Sequence, residues 1–177
     1  MFYGTVEVSM KQGFTLIELL IVIAIVAIIS AISIVIFNPV EMQRKARDAV
    51  RLTNLSALSR AINIASQDAL LSGLSNLCYQ ITVPCQGSSF PLNADTLKND
   101  GSGWVKVNFI LRKGAKLSFL PIDPLNNLDN NFSFFSNGED WEINTHFESD
   151  KYKDLMINDG GNNLGLYETG TDLNLIN

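Results

Sequence analysis

The chain has a single histidine, His146, set in a strand-like alternation with apolar neighbours. A hydrolase triad would need that one ring beside a serine and an aspartate, and no G-x-S-x-G segment presents the serine. Neither G-x-G-x-x-G nor a phosphate loop occurs. His146 therefore reads as a structural or surface residue, and the chain as a non-enzyme. Cysteine is nearly as scarce, with Cys78 and Cys85 alone. C-x6-C with no histidine nearby is a poor zinc pattern. It reads as a disulfide closing a short loop in an oxidising compartment outside the cytoplasm, or else as two buried thiols. Clustered positive charge is also missing where a nucleic-acid surface would need it. Residues 73–177 carry seven Lys or Arg against thirteen Asp or Glu, while residues 1–72 carry six against five. The acidic second half argues against a nucleic-acid partner.

What is present is a long apolar run. From Phe14 to Phe37 there is no Lys, Arg, Asp, Gly or Pro, and Glu18 is the only charge. As a helix of about 1.5 Å rise per residue the run reaches roughly 36 Å, enough for a bilayer core of about 30 Å. A carboxylate at the centre of such a helix costs on the order of 3 kcal/mol, and less near its end, so Glu18 calls for a partner or a purpose. Residues 1–13 read as a leader, with Met10 as an alternative start. It differs from a secretory signal peptide because Asn38-Pro39-Val40-Glu41, not a small-residue cleavage site, follows the apolar run.

Pro39 interrupts the helical pattern, as a kink or as the first turn of a second helix. Met42, Ala46, Ala49, Leu52 or Thr53, Leu58, Ile62, Ala65 and Ala69 then recur at spacings of three or four, the stripe of an amphipathic stem that packs on a sheet. Arg44, Lys45, Arg47, Arg51 and Arg60 fall on its other faces, and Gly73 is the expected stop. Beyond it, Trp104–Leu111, Phe132–Phe135 and Trp141–Phe147 read as strands, the last two flanking the hairpin signal Asn137-Gly138. Trp141, Ile143, Thr145 and Phe147 alternate with Glu142, Asn144, His146 and Glu148, which predicts a sheet with one wet face. Leu120-Pro121-Ile122-Asp123-Pro124 reads as a rigid extended loop. Asp159–Asn177 reads as an ordered surface loop ending in the apolar Leu173–Ile176, or as a frayed end. The expected fold is α+β, a long N-terminal helix on a small antiparallel sheet. Its parts are a leader (1–13), a membrane helix (14–38), a stem helix (39–72) and a head (73–177).

A leader ending in Gly13, an aromatic Phe14, a carboxylate at Glu18 and an uninterrupted apolar run together resemble the class III signal of type IV prepilins and type II secretion pseudopilins. The resemblance is specific over about residues 10–37; the stem, the sheet and the Pro121–Pro124 loop are also similar to that family. It implies a pilin-like fold, cleavage between Gly13 and Phe14 by a prepilin peptidase, and methylation of the new Phe14 amine. It further implies lipid around the helix before assembly, an inner-membrane assembly platform, and a homo-oligomeric filament at the cell surface or in the periplasm. Phe14 and Glu18 lie four apart on one helix face, so Glu18 of one subunit can meet the Phe14 amine of the next. The expected function is that of a pilus subunit. The alternatives are a secretion pseudopilin and a membrane-anchored binding protein that never polymerises.

Three features depart from the family pattern. Arg44, Lys45, Arg47 and Arg51 outnumber Lys11 beside the span, and charge counting alone would put the head in the cytoplasm, whereas the prepilin signal puts the leader there. Pro39 sits at the outer end of the helix. The cysteines follow the stem instead of closing a C-terminal loop. The resemblance to major pseudopilins also implies calcium, for which Asp123, Asp129, Asp159 and Asp172 are the candidate ligands, with solvated turn residues as the alternative reading.

Overall fold

The computed structural model describes residues 13–71, 77–112 and 114–177. The leader before Gly13, with Met10, and the stop at Gly73 lie outside the described residues. The chain forms two units, one ending at Pro39 and the other running from Val40 to Asn177.

The first unit is built on α1 (Leu16–Phe37). Its apolar side chains are exposed from Phe14 to Ile32, and it is the one helix among the described residues long and apolar enough to cross a membrane. Its polar interior groups are satisfied locally: the Ser30 and Ser33 hydroxyls donate to the carbonyls of Val26 and Ile29, at 2.7 and 2.8 Å. That is what a hydrocarbon environment demands of a buried hydroxyl. The helix ends at Asn38, whose φ of 38° is left-handed, a conformation asparagine tolerates better than most residues. α2 (Pro39–Leu71) begins at once, with proline at the first helical position where its missing N–H is no loss.

The second unit sets α2 against a four-stranded antiparallel sheet with strands in chain order: β1 (Cys85–Ser88), β2 (Ser133–Ser136), β3 (Trp141–Thr145) and β4 (Tyr167–Gly170). α3 (Asp150–Ile157) lies between β3 and β4. The fold is α+β, as the sequence predicts. Leu55, Leu58, Ala61, Ile62 and Ala65 of α2 form the core with Trp104, Val105, Val107, Phe109, Phe132, Phe134, Trp141 and Ile143. Asn137–Asp140 turns β2 into β3; the Asn137 side-chain oxygen accepts from the Glu139 and Asp140 amides, and Gly138 supplies a φ of 101°. Cys78 and Cys85 form a disulfide with Cα atoms 5.8 Å apart.

Several expectations are corrected. Trp104–Leu111 is no ladder strand: its backbone is taken up by neighbouring loops, Lys106 accepting from Tyr79, Trp104 donating to Thr96 and Phe109 donating to Asn99. It still supplies core through Trp104, Val105, Val107 and Phe109, buried without alternation. The 159–177 segment contains β4. The face of β3 expected to be wet is covered, since Glu142 and Asn144 are buried beneath the end of the chain, whose Leu175 and Ile176 amides donate to Glu142. The upper half of the α2 stripe is misregistered: Met42, Ala46 and Ala49 are exposed, and the buried line runs Asp48, Arg51, Leu55, Leu58, Ile62, Ala65.

Candidate functional site

Thr15 caps α1, and Glu18 is the third residue of its first turn. The Thr15 amide and hydroxyl both donate to Glu18 Oε2 at 2.8 Å, and the Glu18 amide donates back to Thr15 Oγ1 at 3.3 Å. This is a capping box, which satisfies amides that the start of a helix leaves open. A carboxylate in the first turn also meets the positive end of the helix dipole. Glu18 thus has a local partner within its own subunit, one that the apolar run alone does not reveal. Both Thr15 bonds fall on Oε2; among the described residues Oε1 has no partner. Gly13 and Phe14 precede the cap, are exposed, and have open space about them: nothing lies within 4 Å of a Cβ added at Gly13.

A second polar centre lies in the other unit, where α2 meets the head. Arg51, expected on an outer face, is fully buried. Its guanidinium forks onto Asp123 at 2.6 and 3.0 Å, and Nη1 donates to Asp48 and Glu148 at 2.7 Å each. Nη2 also donates to Asn130 Oδ1 at 3.2 Å. Arg47 holds the other side of Glu148 with bonds of 2.6 and 2.8 Å. Asp48 in turn accepts from the Glu148 and Ser149 amides and from the Ser149 hydroxyl, at 2.6–3.2 Å. One arginine therefore ties the stem, the Pro121–Pro124 loop and the corner between β3 and α3. Burial works against its charge, but the bonds to Asp123, Asp48 and Glu148 prevail and raise its pKa. The Arg47 fork leads in holding the Glu148 carboxyl down to about 2, against the cost of burial and with help from Arg51.

The four aspartates considered for calcium are not brought together. Asp123 is committed to Arg51 and also accepts from the Leu125 amide at 2.8 Å. Asp129 is exposed on its loop. Asp159 accepts from the Gly161 and Glu168 amides, and Asp172 from Asn174. Among the described residues no group of three or more His, Cys, Asp or Glu side chains is placed to hold a metal ion. His146 is half-buried beside Arg44, Asp129, Glu148 and Lys153 in an open cavity of about 560 Å³.

Residues 8–34 match the prokaryotic N-terminal methylation motif, the class III prepilin signal of type IV pilins and pseudopilins. The match takes in Gly13, Phe14, the Thr15–Glu18 box and most of α1, and leaves the head outside it. No curated protein and no solved structure matches the chain.

Proposed function

We propose, from the prepilin signal at its N-terminus, that this chain is a structural subunit of a type IV pilus-like filament. A prepilin peptidase cuts it after Gly13 and methylates Phe14, α1 anchors it in the cytoplasmic membrane until assembly, and the head stands outside the cytoplasm. The observation that carries this reading is the join of the methylation motif to the capping box. Cleavage creates an ammonium at Phe14, next to the positive end of the helix dipole, where a cation is disfavoured. Glu18, one turn inward, offsets it. In a stack of parallel helices the free Oε1 of one subunit is available to the Phe14 amine of its neighbour, a pairing that compensates both charges in a dry filament core. Because Thr15 already shields Oε2, the solitary subunit in lipid bears less of a penalty than a bare carboxylate would. The pairing sets register more than it drives assembly.

The type II secretion pseudopilin is the second reading. What favours it is the Pro121–Pro124 loop, similar to that of major pseudopilins and here locked onto Arg51. Under both readings the role is structural and not catalytic.

Two substitutions separate capping from charge. Glutamine at a capping-box position keeps the reciprocal hydrogen bonds and loses the charge. We expect Glu18→Gln to be processed normally but to leave few filaments in sheared-surface fractions, with the mature chain retained in membranes. We expect Glu18→Ala to lose the box as well. Wild-type filament yield from Glu18→Gln would refute the charge-pairing role. Permanent membrane residence of the wild-type chain would refute polymerisation and leave the non-polymerising anchor.

A further inference from the structure

The second unit carries two exposed patches that the proposed function does not use. At the start of α2, Val40 and Met42 are 57% and 58% exposed beside the exposed Arg44 and Lys45. Both cations lie 4.0 Å from Glu41, and one carboxylate cannot neutralise two of them. The other patch is the Asn137–Asp140 turn with its neighbouring loop. Glu139 is exposed on the turn and Asp140 half-buried, and among the described residues neither forms an ion pair. The loop is the one closed by Cys78 and Cys85, on which Ile81 and Val83 are 42% and 47% exposed. Two pairings set loop and turn side by side: the Leu77 amide donates to the Gly138 carbonyl at 3.0 Å, and Cys85 pairs in register with Ser136. β3 separates the patches. It leaves the turn at Trp141 and ends at Thr145, and beyond it the Glu148 amide donates to Asp48, a helical turn further along α2 than Lys45. The patches thus stand roughly 20 Å apart, too far for Lys45 to reach Glu139 of its own copy.

The two patches match. One is cationic and the other anionic, and each sets two exposed apolar side chains beside its charges, the make-up of an interface with an apolar centre and a charged rim. Because they stand at different places on one copy, joining them across copies is head-to-tail. Such a contact leaves a free patch at either end and continues into an open assembly. We infer that the start of α2 in one copy docks on the turn and disulfide loop of the next, with Arg44 and Lys45 against Glu139 and Asp140 of the neighbouring copy, and Val40 and Met42 against its Ile81 and Val83. This inference rests on the filament reading and gives it a contact outside α1. The disulfide takes part, since a closed loop has less freedom to lose on docking. A single exposed charge pair is weak and is screened by salt. Repeated at every copy, the same pairing fixes which face of one subunit meets which face of the next.

Carbodiimide coupling of wild-type filaments sheared from the cell surface tests this, because the reagent joins a lysine amine to a carboxylate only where the two touch. Lys45 and Glu41 of one chain, 4.0 Å apart, are the internal control. The expected product, in bands of dimer mass and above, is a peptide joining Lys45 to Glu139 or Asp140. Filaments that give the Lys45–Glu41 product and neither of the others overturn the inference and leave the filament reading standing. A wild-type chain that yields no sheared filaments overturns both. Charge reversal is the second arm. Arg44→Glu with Lys45→Glu, and Glu139→Lys with Asp140→Lys, are each expected to lower filament yield about tenfold, and the variant carrying all four to recover most of it. Unchanged yield from either reversal overturns the inference even if the fourfold variant fails to fold, and a folded fourfold variant without recovery overturns it too.

Discussion

Glu18 and Arg51 are two charges in unfavourable surroundings, and the sequence reveals them unequally. Glu18 is legible because everything that explains it is local: the glycine, the aromatic and the apolar run lie within a few residues. Its capping partner Thr15 is local too, and the Thr-x-x-Glu spacing was available as a signal. Arg51 is not legible. Helical periodicity places an arginine outward by default, and the acids that pull it inward, Asp123 and Glu148, lie 72 and 97 residues further along the chain. Only Asp48, three residues before it, hinted at the pairing. Removing the arginine alone leaves buried carboxylates uncompensated. Arg51→Met should thus cost about 3–5 kcal/mol, read as a lower denaturant midpoint with an unchanged slope. Arg51→Lys, which keeps the charge but loses the fork, should fall between it and wild type. The same cluster predicts acid sensitivity. The Glu148 carboxyl is held down to about 2 in the fold from an ordinary 4.5. Its contribution is whole above that ordinary value and is lost as pH falls toward the folded one. Thermal unfolding from about pH 5 to about pH 2 should show the decline, and Glu148→Gln should flatten it.

At the scale of elements, the two long helices and the central hairpin were readable, and α3 and the edges of the sheet were not. α1 and α2 announce themselves by composition and period, and Pro39 marks their junction. β2 and β3 carry aromatic and branched residues around Asn137-Gly138. β1 and β4, Cys-Gln-Gly-Ser and Tyr-Glu-Thr-Gly, have neither alternation nor β-branched runs; pairing partners and covering loops decide them, which a single sequence does not display. Trp104–Leu111 failed the other way, as an apolar run that is buried without joining the ladder. Its packing is nonetheless tight. Gly87 in β1 lies so close to the Trp104 carbonyl that an added Cβ would collide with backbone. Gly87→Ala should destabilise the head by about 1–3 kcal/mol, measurable as a lower melting temperature. Wild-type stability would show that the two segments separate freely.

For the whole molecule, the arginines beyond the apolar run are the main objection to an extracytoplasmic head, since charge counting favours the opposite topology. The fold gives two of them another reason to be there: Arg51 is buried in the head and Arg47 is paired with Glu148. Processing of the N-terminus decides whether the chain is a prepilin. Mass spectrometry of the mature protein from its native membrane or filament fraction measures this in one step. The predicted mature chain begins at N-methylated Phe14. A mature chain that still begins at Met1 or Met10, with Gly13 joined to Phe14, would contradict it.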